Sequence, residues 1–234
     1  ARRLAVESGG NPFLAVTLIR ALARTSRLAD DLLKWPPPTK TMDAPLPPGV
    51  SQFVRMAILT QLAGLSQPRL YTLAAAAMAG VPVDAALLAA ATASDLASTE
   101  ETLTDLERRR ILVFRDGRFA FVAGVVAAVV AREAIPAGKR ESIRGRLIEA
   151  LTSRGDLESR IAATALRAKA GPSAEVFEAA VSEVREALEE GARRTAQRAL
   201  RVAEQASDPS DAEAAATIGE LRRTVEMRRT TPCA

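Results

Sequence analysis

The chain has 234 residues, a formal net charge of +4, 48% hydrophobic and 26% charged residues, and only 3% aromatics. This is the balance of a globular chain with one large domain or two small ones, and the mild, dispersed positive charge excludes the concentrated basic face of a dedicated nucleic-acid binder. With no histidine and one cysteine, Cys233, the chain lacks imidazole chemistry, Ser-His and Cys-His nucleophiles and an internal disulfide.

The first helix reads through Leu4-Ala5-Val6 and stops at Ser8-Gly9-Gly10-Asn11, because Gly and Asn tolerate the left-handed backbone of a helix end. Pro12 occupies the first position of the next helix, where its missing N–H costs nothing. Phe13, Val16, Ile19 and Ala23 form one apolar stripe and Leu14, Leu18 and Leu22 a second, which predicts a helix covered on two sides. Residues 1–34 are thus a helical segment. Residues 35–49 hold six prolines between Trp35 and Gly49 and predict an extended, semi-rigid linker.

From Val50 the period is helical again, through Val54, Ile58, Leu62 and Leu65. A helix is expected from Leu70 to Ala79, stopped by Gly80, and another from Asp84, a capping residue, to Ala93. Ser98 and Glu101 have the spacing of a capping box that opens a helix carrying Leu103 and Leu106. The period then changes: Ile111–Phe114 and Arg118–Phe121 flank Arg115-Asp116-Gly117, a hairpin signature. A helix follows from Val122. The most apolar run, Phe119–Ala131, is too short to span a bilayer. Helices followed by one hairpin and a further helix, over 50–135, give the pattern of a winged helix.

The remainder, 136–234, reads as helices of about 15 residues punctuated by Gly155, Gly171-Pro172 and Gly191, with Asp208-Pro209 opening the last. This predicts antiparallel, tetratricopeptide-like hairpins. The core is expected from Leu, Val, Ile and Ala, with Phe13, Phe53, Phe119, Phe121 and Phe177 as larger fillers. The fold class is therefore mainly α. No signal peptide is visible, and a cytoplasmic setting without membrane association is expected.

The ordered set of Gly10-Asn11-Pro12-Phe13-Leu14, Leu46-Pro47-Pro48-Gly49-Val50, Gln61-Leu62-Ala63-Gly64-Leu65-Ser66, Leu73–Val83 and Leu103–Phe121 resembles the STAND class of AAA+-related bacterial regulatory ATPases, including large LuxR-family regulators. The resemblance runs from residue 1 to about 155. It implies that 1–34 is the end of an ATPase lid, 50–135 a winged-helix domain and 136–234 the start of sensor repeats. It further implies that Gly10, Asn11 and Pro12 cover the adenine of ATP or ADP in an intact protein whose P-loop domain lies upstream. The chain has no Gly-x-x-x-x-Gly-Lys-Ser/Thr loop, so phosphate and Mg²⁺ would bind elsewhere and this segment alone would hold no nucleotide. Two histidines frequent in the class are absent: Phe121-Val122-Ala123 replaces a Phe-x-His pattern, and Arg144 stands near the place of the other.

The implied role is a relay of nucleotide state to helical sensor repeats that receive a protein or small-molecule inducer, controlling an effector of the same protein in signal transduction or transcription. No catalytic or metal-ligating set is present. Two other readings stay open: a helical scaffold for protein interaction, and a DNA-binding winged helix. The acids Glu100, Glu101, Asp105 and Glu107 before Arg108-Arg109-Arg110 argue against the last. The pairs Arg193-Arg194, Arg222-Arg223 and Arg228-Arg229 read as solvated or dipole-matched helix positions, and Glu189-Glu190 as diverging side chains rather than a dyad.

Overall fold

The computed structural model describes residues 48–227, with Ser8, Pro12, Ala15, Val16, Thr17 and Ile19 upstream. Among these the chain is mainly helical, with one two-stranded antiparallel sheet. No described helix is long and apolar enough to cross a membrane. Contacts divide the chain into two compact units, 1–143 and 144–234.

In the first unit, α1 (Pro48–Leu62) begins two residues inside the stretch expected to be linker, since proline is tolerated in a first helical turn. Val54, Ile58 and Leu62, spaced four apart, are its buried stripe. α2 (Gln67–Ala79) buries every residue from Thr72 to Ala79. Its alanines allow neighbouring helices on several sides, here α5 (Gly124–Glu133) and α3 (Ala85–Thr92). Gly80, at φ 66°, ends α2 in the left-handed conformation.

Asp84 caps α3 by accepting from the Leu87 N–H at 2.9 Å. α4 (Leu96–Arg108) corrects an expectation. Its cap is Asp95, which accepts from the Ser98 N–H at 2.8 Å, so Ser98 lies inside the first turn rather than at the start of a capping box. The Asp95 carboxylate, three residues ahead, takes the Ser98 N–H that the Ser98–Glu101 reading assigned to the Glu101 side chain. α4 ends in a Schellman pattern: the Ile111 N–H reaches the Leu106 carbonyl at 3.0 Å, with Arg110 at φ 57°.

β1 (Leu112–Arg115) and β2 (Arg118–Phe121) pair with Phe114 opposite Phe119 and Arg115 opposite Arg118. Asp116 and Gly117 both have positive φ, 51° and 75°, as a type I′ turn requires. On its other side β2 meets Val83, whose N–H and C=O both bond Phe119. Leu73, Leu88, Leu103, Leu106 and Leu112 close the core at 1% exposure or less.

α6 (Ala137–Arg154) contains the boundary between the units. The second unit holds its end and α7 (Leu157–Ala168), α8 (Ala174–Glu189), α9 (Arg193–Ala206) and α10 (Ala212–Met227). α8 and α9 run antiparallel: three residues join them, and the Ser173 N–H at the start of α8 reaches the Ala206 carbonyl at the end of α9. Gly191 at φ 70° forms the turn, and the Ala192 N–H returns to the Ala187 carbonyl at 2.8 Å. Ala180, Ala187, Ala196, Ala199 and Ala203 are all fully buried. α10 starts at Ala212, later than expected. Asp211, not Asp208, caps it through the N–H groups of Glu213 and Ala214, while Asp208 accepts from Ser210 in the preceding turn.

The aromatics depart from expectation. Phe177 is buried, but Phe119 and Phe121 are only half-buried and Phe114 is 48% exposed. The exposed and half-buried rings Phe114, Phe119 and Phe121 all lie on the hairpin, whereas Phe177 packs among the alanines of α8 and α9. Upstream, Thr17 is buried while Val16 and Ile19 are about half exposed, against the helix covered on two sides. Phe13 and the Phe53 side chain lie outside the described residues.

Candidate functional site

The residues singled out by the lid resemblance are only partly described. Pro12 is helical and exposed, as the first turn of a helix allows, and Gly10 and Asn11 lie outside the described residues. Two other places carry a concentration of polar chemistry, one in each unit.

In the first unit, α4 and the hairpin form a charge-divided surface. Asp95, Glu100, Glu101 and Glu107 are exposed along α4, and Asp105 is half-buried. Asp105 holds Arg69 at 3.3 Å and Arg109 at 2.9 Å. The Glu107 carboxylate accepts from the Phe114 N–H at 3.3 Å, which ties the free edge of β1 back to the helix. Thr99, Thr102, Leu103 and Leu106 face inward. The exposed helix face therefore presents carboxylates, a poor match to phosphate. At the far end the surface turns basic, with Arg108, Arg109, Arg110, Arg115 and Arg118 all exposed; Arg115 and Arg118 lie on the hairpin face opposite Phe114 and Phe119.

In the second unit a carboxylate is built into the packing. Glu183 on α8 is 6% exposed. One carboxylate oxygen accepts from the Thr164 hydroxyl of α7 at 2.8 Å, and the other, Oε2, is buried without a hydrogen-bond partner. Arg160 pairs with Glu186 at the same α7–α8 junction. Burial raises the Glu183 pKa above the ordinary carboxylate range, against lowering by the Thr164 bond and by Arg160 and Arg167. Half-buried Arg198 on α9 completes the charged surroundings. Sequence reasoning missed Glu183, although the signal was present: it falls between Ala180 and Ala187 on the apolar stripe of α8. A carboxylate of raised pKa in a pocket could serve as a general acid; here Glu183 sits in the α7–α8 packing, with the Thr164 hydroxyl as its hydrogen-bond donor.

A cavity of about 440 Å³ lies between the ends of α8, α9 and α10, lined by Ser173, Phe177, Glu178, Asp208, Asp211 and Thr217 among others. Its polar groups are largely occupied: Ser173, Asp208 and Asp211 already accept backbone N–H groups. They act as caps of their own helices.

Two of the arginine pairs read from sequence tie α9 to α10, and half-buried Arg193 at the start of α9 corrects the expectation of solvated or dipole-matched positions. Arg193 donates to the Val225 carbonyl, Arg222 bonds Glu204 at 2.6 Å and Arg223 donates to Gly219; Arg228 and Arg229 lie outside the described residues. Glu189 and Glu190 are exposed at the end of α8. Among the described residues no group of three or more Cys, Asp or Glu side chains is arranged to hold a metal ion. No protein-family model, no curated protein and no solved structure matches the chain.

Proposed function

We propose that this chain is a non-catalytic relay segment of a nucleotide-regulated signalling ATPase of the STAND class, joining a lid, a winged-helix domain and tetratricopeptide-like sensor hairpins. The observation that carries the reading is the order α2, Val83, α3, α4, β1, β2, with Val83 bonded to β2 on the side away from β1. In a winged helix a short strand after the first helix pairs with the second strand of the wing, and this connectivity supports that arrangement. The antiparallel α8–α9 pair, with α7 and α10 beside it, supports stacked helical hairpins. ATP or ADP would bind on an upstream P-loop domain of the same protein, with Gly10, Asn11 and Pro12 closing over the base. An inducer at the repeats would shift the equilibrium between closed and open states, releasing an effector domain in cytoplasmic signalling or transcription control. The carboxylates on the outer face of α4 weigh against DNA reading by that helix.

The test is calorimetric titration of ATP and ADP into the natural full-length protein and its Gly10→Val, Pro12→Ala variant. The relay reading expects nucleotide binding by the wild type, and binding roughly tenfold weaker, near 1.4 kcal/mol, in a variant that keeps its helicity. Equal binding by both reduces the turn to a helix connection. No binding by the full-length protein removes the nucleotide role and leaves a helical interaction scaffold.

A further inference from the structure

The cavity at the ends of α8, α9 and α10 differs in charge from the rest of the chain. Its volume, about 440 Å³, falls within the roughly 300–1,000 Å³ of small-ligand sites. Phe177, Ala174, Ala206 and Ala214 supply an apolar wall, and Glu178, Asp208, Asp211 and Glu213 supply carboxylates. All four acids are exposed and stand at the mouth, whereas Phe177, Ala206 and Ala214 are buried behind them. None of the described residues that line it is basic. The two stretches that build it, 170–184 and 202–221, hold three and five acids and no lysine or arginine, in a chain whose net charge is +4. Helix ends explain part of this. Asp211 caps α10 and Glu213 lies in its first turn, where acids are favourable. Glu178 lies a turn further into α8, beyond the reach of that effect, and Asp208 lies outside any helix.

We propose that this cavity binds an organic cation, an ammonium or guanidinium group carried on an apolar stem. The stem would lie on Phe177 and the alanines and the charged head at Glu178 and Glu213, the division that lysine and arginine side chains themselves adopt. Carboxylates accept charge-assisted hydrogen bonds from such a head, two in parallel from a guanidinium. A bare metal ion is the poorer occupant, because no group of three or more Asp or Glu side chains among the described residues is arranged to hold one. An anion is opposed by the four carboxylates. The Val176, Glu213 and Ala214 N–H groups that the two helix starts would offer it are already taken by Ser173 and Asp211. Such a site would serve whether or not the intact protein binds nucleotide.

The experiment uses the full 234-residue chain, calorimetric titration at about 50 mM salt and mapping of backbone amide chemical shifts. Three probes are titrated: agmatine, a capped peptide of alternating leucine and arginine, and calcium chloride. The expected result is a guanidinium probe that binds and shifts the amides of Ser207, Glu213 and Thr217. Its affinity falls roughly tenfold in Glu178→Gln, Glu213→Gln, a variant that leaves the caps Ser173 and Asp211 in place. Thr217→Phe keeps every carboxylate but fills space in the cavity, and is expected to weaken binding in the same direction. Ala174→Leu serves in its place if Thr217→Phe loses helicity by circular dichroism. Tighter binding of agmatine assigns the site to a free amine, and tighter binding of the peptide assigns it to a basic side chain of a protein partner. No shift of these amides by either guanidinium probe overturns the proposal. Binding unchanged in the folded cavity-filling variant also overturns it, because the acidic surface alone then holds the cation. So does calcium bound more tightly than both, which would make the acids a metal site.

Discussion

The two units end their helices differently. In the second, α8 closes on Gly191, which takes a left-handed backbone without a Cβ penalty. In the first, α2 likewise closes on Gly80, but α3 closes on Ala93 at φ 55° and α4 on Arg110 at φ 57°, with the same return bonds, Ser94 to Ala89 and Ile111 to Leu106. Charge is also handled in opposite ways. The first unit keeps its acids on the surface of α4, whereas the second buries Glu183 between helices. The first unit therefore stores small local costs in its turns, and the second stores one in its core.

The largest effect that separates the units concerns packing. Leu103, at 0% exposure, fills the centre of the first unit, so Leu103→Ala should cost about 2–5 kcal/mol, seen as an early urea transition confined to that unit. A global shift of both units together would show that they unfold as one and would end the comparison at the level of stability.

Next is the buried acid. Thr164→Val removes the hydrogen bond to Glu183 and leaves both carboxylate oxygens without that donor, at a cost of about 1–3 kcal/mol near neutral pH. The pH dependence has a defined sign. Burial raises the folded pKa of Glu183 above the unfolded value near 4.5. The folded state thus holds this proton more tightly, and the group's stabilising contribution is fully present below pH 4.5 and lost as pH rises through the folded value. Glu183→Gln should therefore raise the unfolding midpoint at pH 7 relative to wild type, with the advantage shrinking toward pH 4. Parallel melting curves across that range would show instead that Glu183 titrates as an exposed acid.

Smallest is the pair of turn substitutions. Ala93→Gly should stabilise the first unit, and Gly191→Ala should destabilise the second, each by about 1 kcal/mol in thermal denaturation. Opposite signs sharpen the contrast in helix ends; the same sign at both positions would break it.

Much of the local structure was legible because short-range rules govern it. Gly80 stops α2, Asp84 caps α3, and Asp116-Gly117 turns the hairpin, each through the backbone preference of one or two residues. The capping box at Ser98 was misplaced because Asp95, a stronger local acceptor, stood three residues earlier, and the start of α10 shifted to Asp211 for the same reason. The candidate sites were less legible. The burial of Glu183 is signalled by its place on the apolar stripe of α8, but its partner is not: α7 delivers Thr164 across 19 residues of chain, and no local pattern carries that information.

The sequence by itself determined that the chain is mainly helical, where most helices stop, and that imidazole and intramolecular disulfide chemistry are absent; these follow from residue identity and from interactions within four or five positions. Only the tertiary structure decided that Val83 joins the hairpin as a third strand segment, that Phe114 stays in solvent while alanines fill the core, and that a glutamate lies between helices. Those outcomes depend on which distant surfaces meet, and contacts between residues far apart in the chain are set by the packing of whole elements rather than by the preference of any one of them.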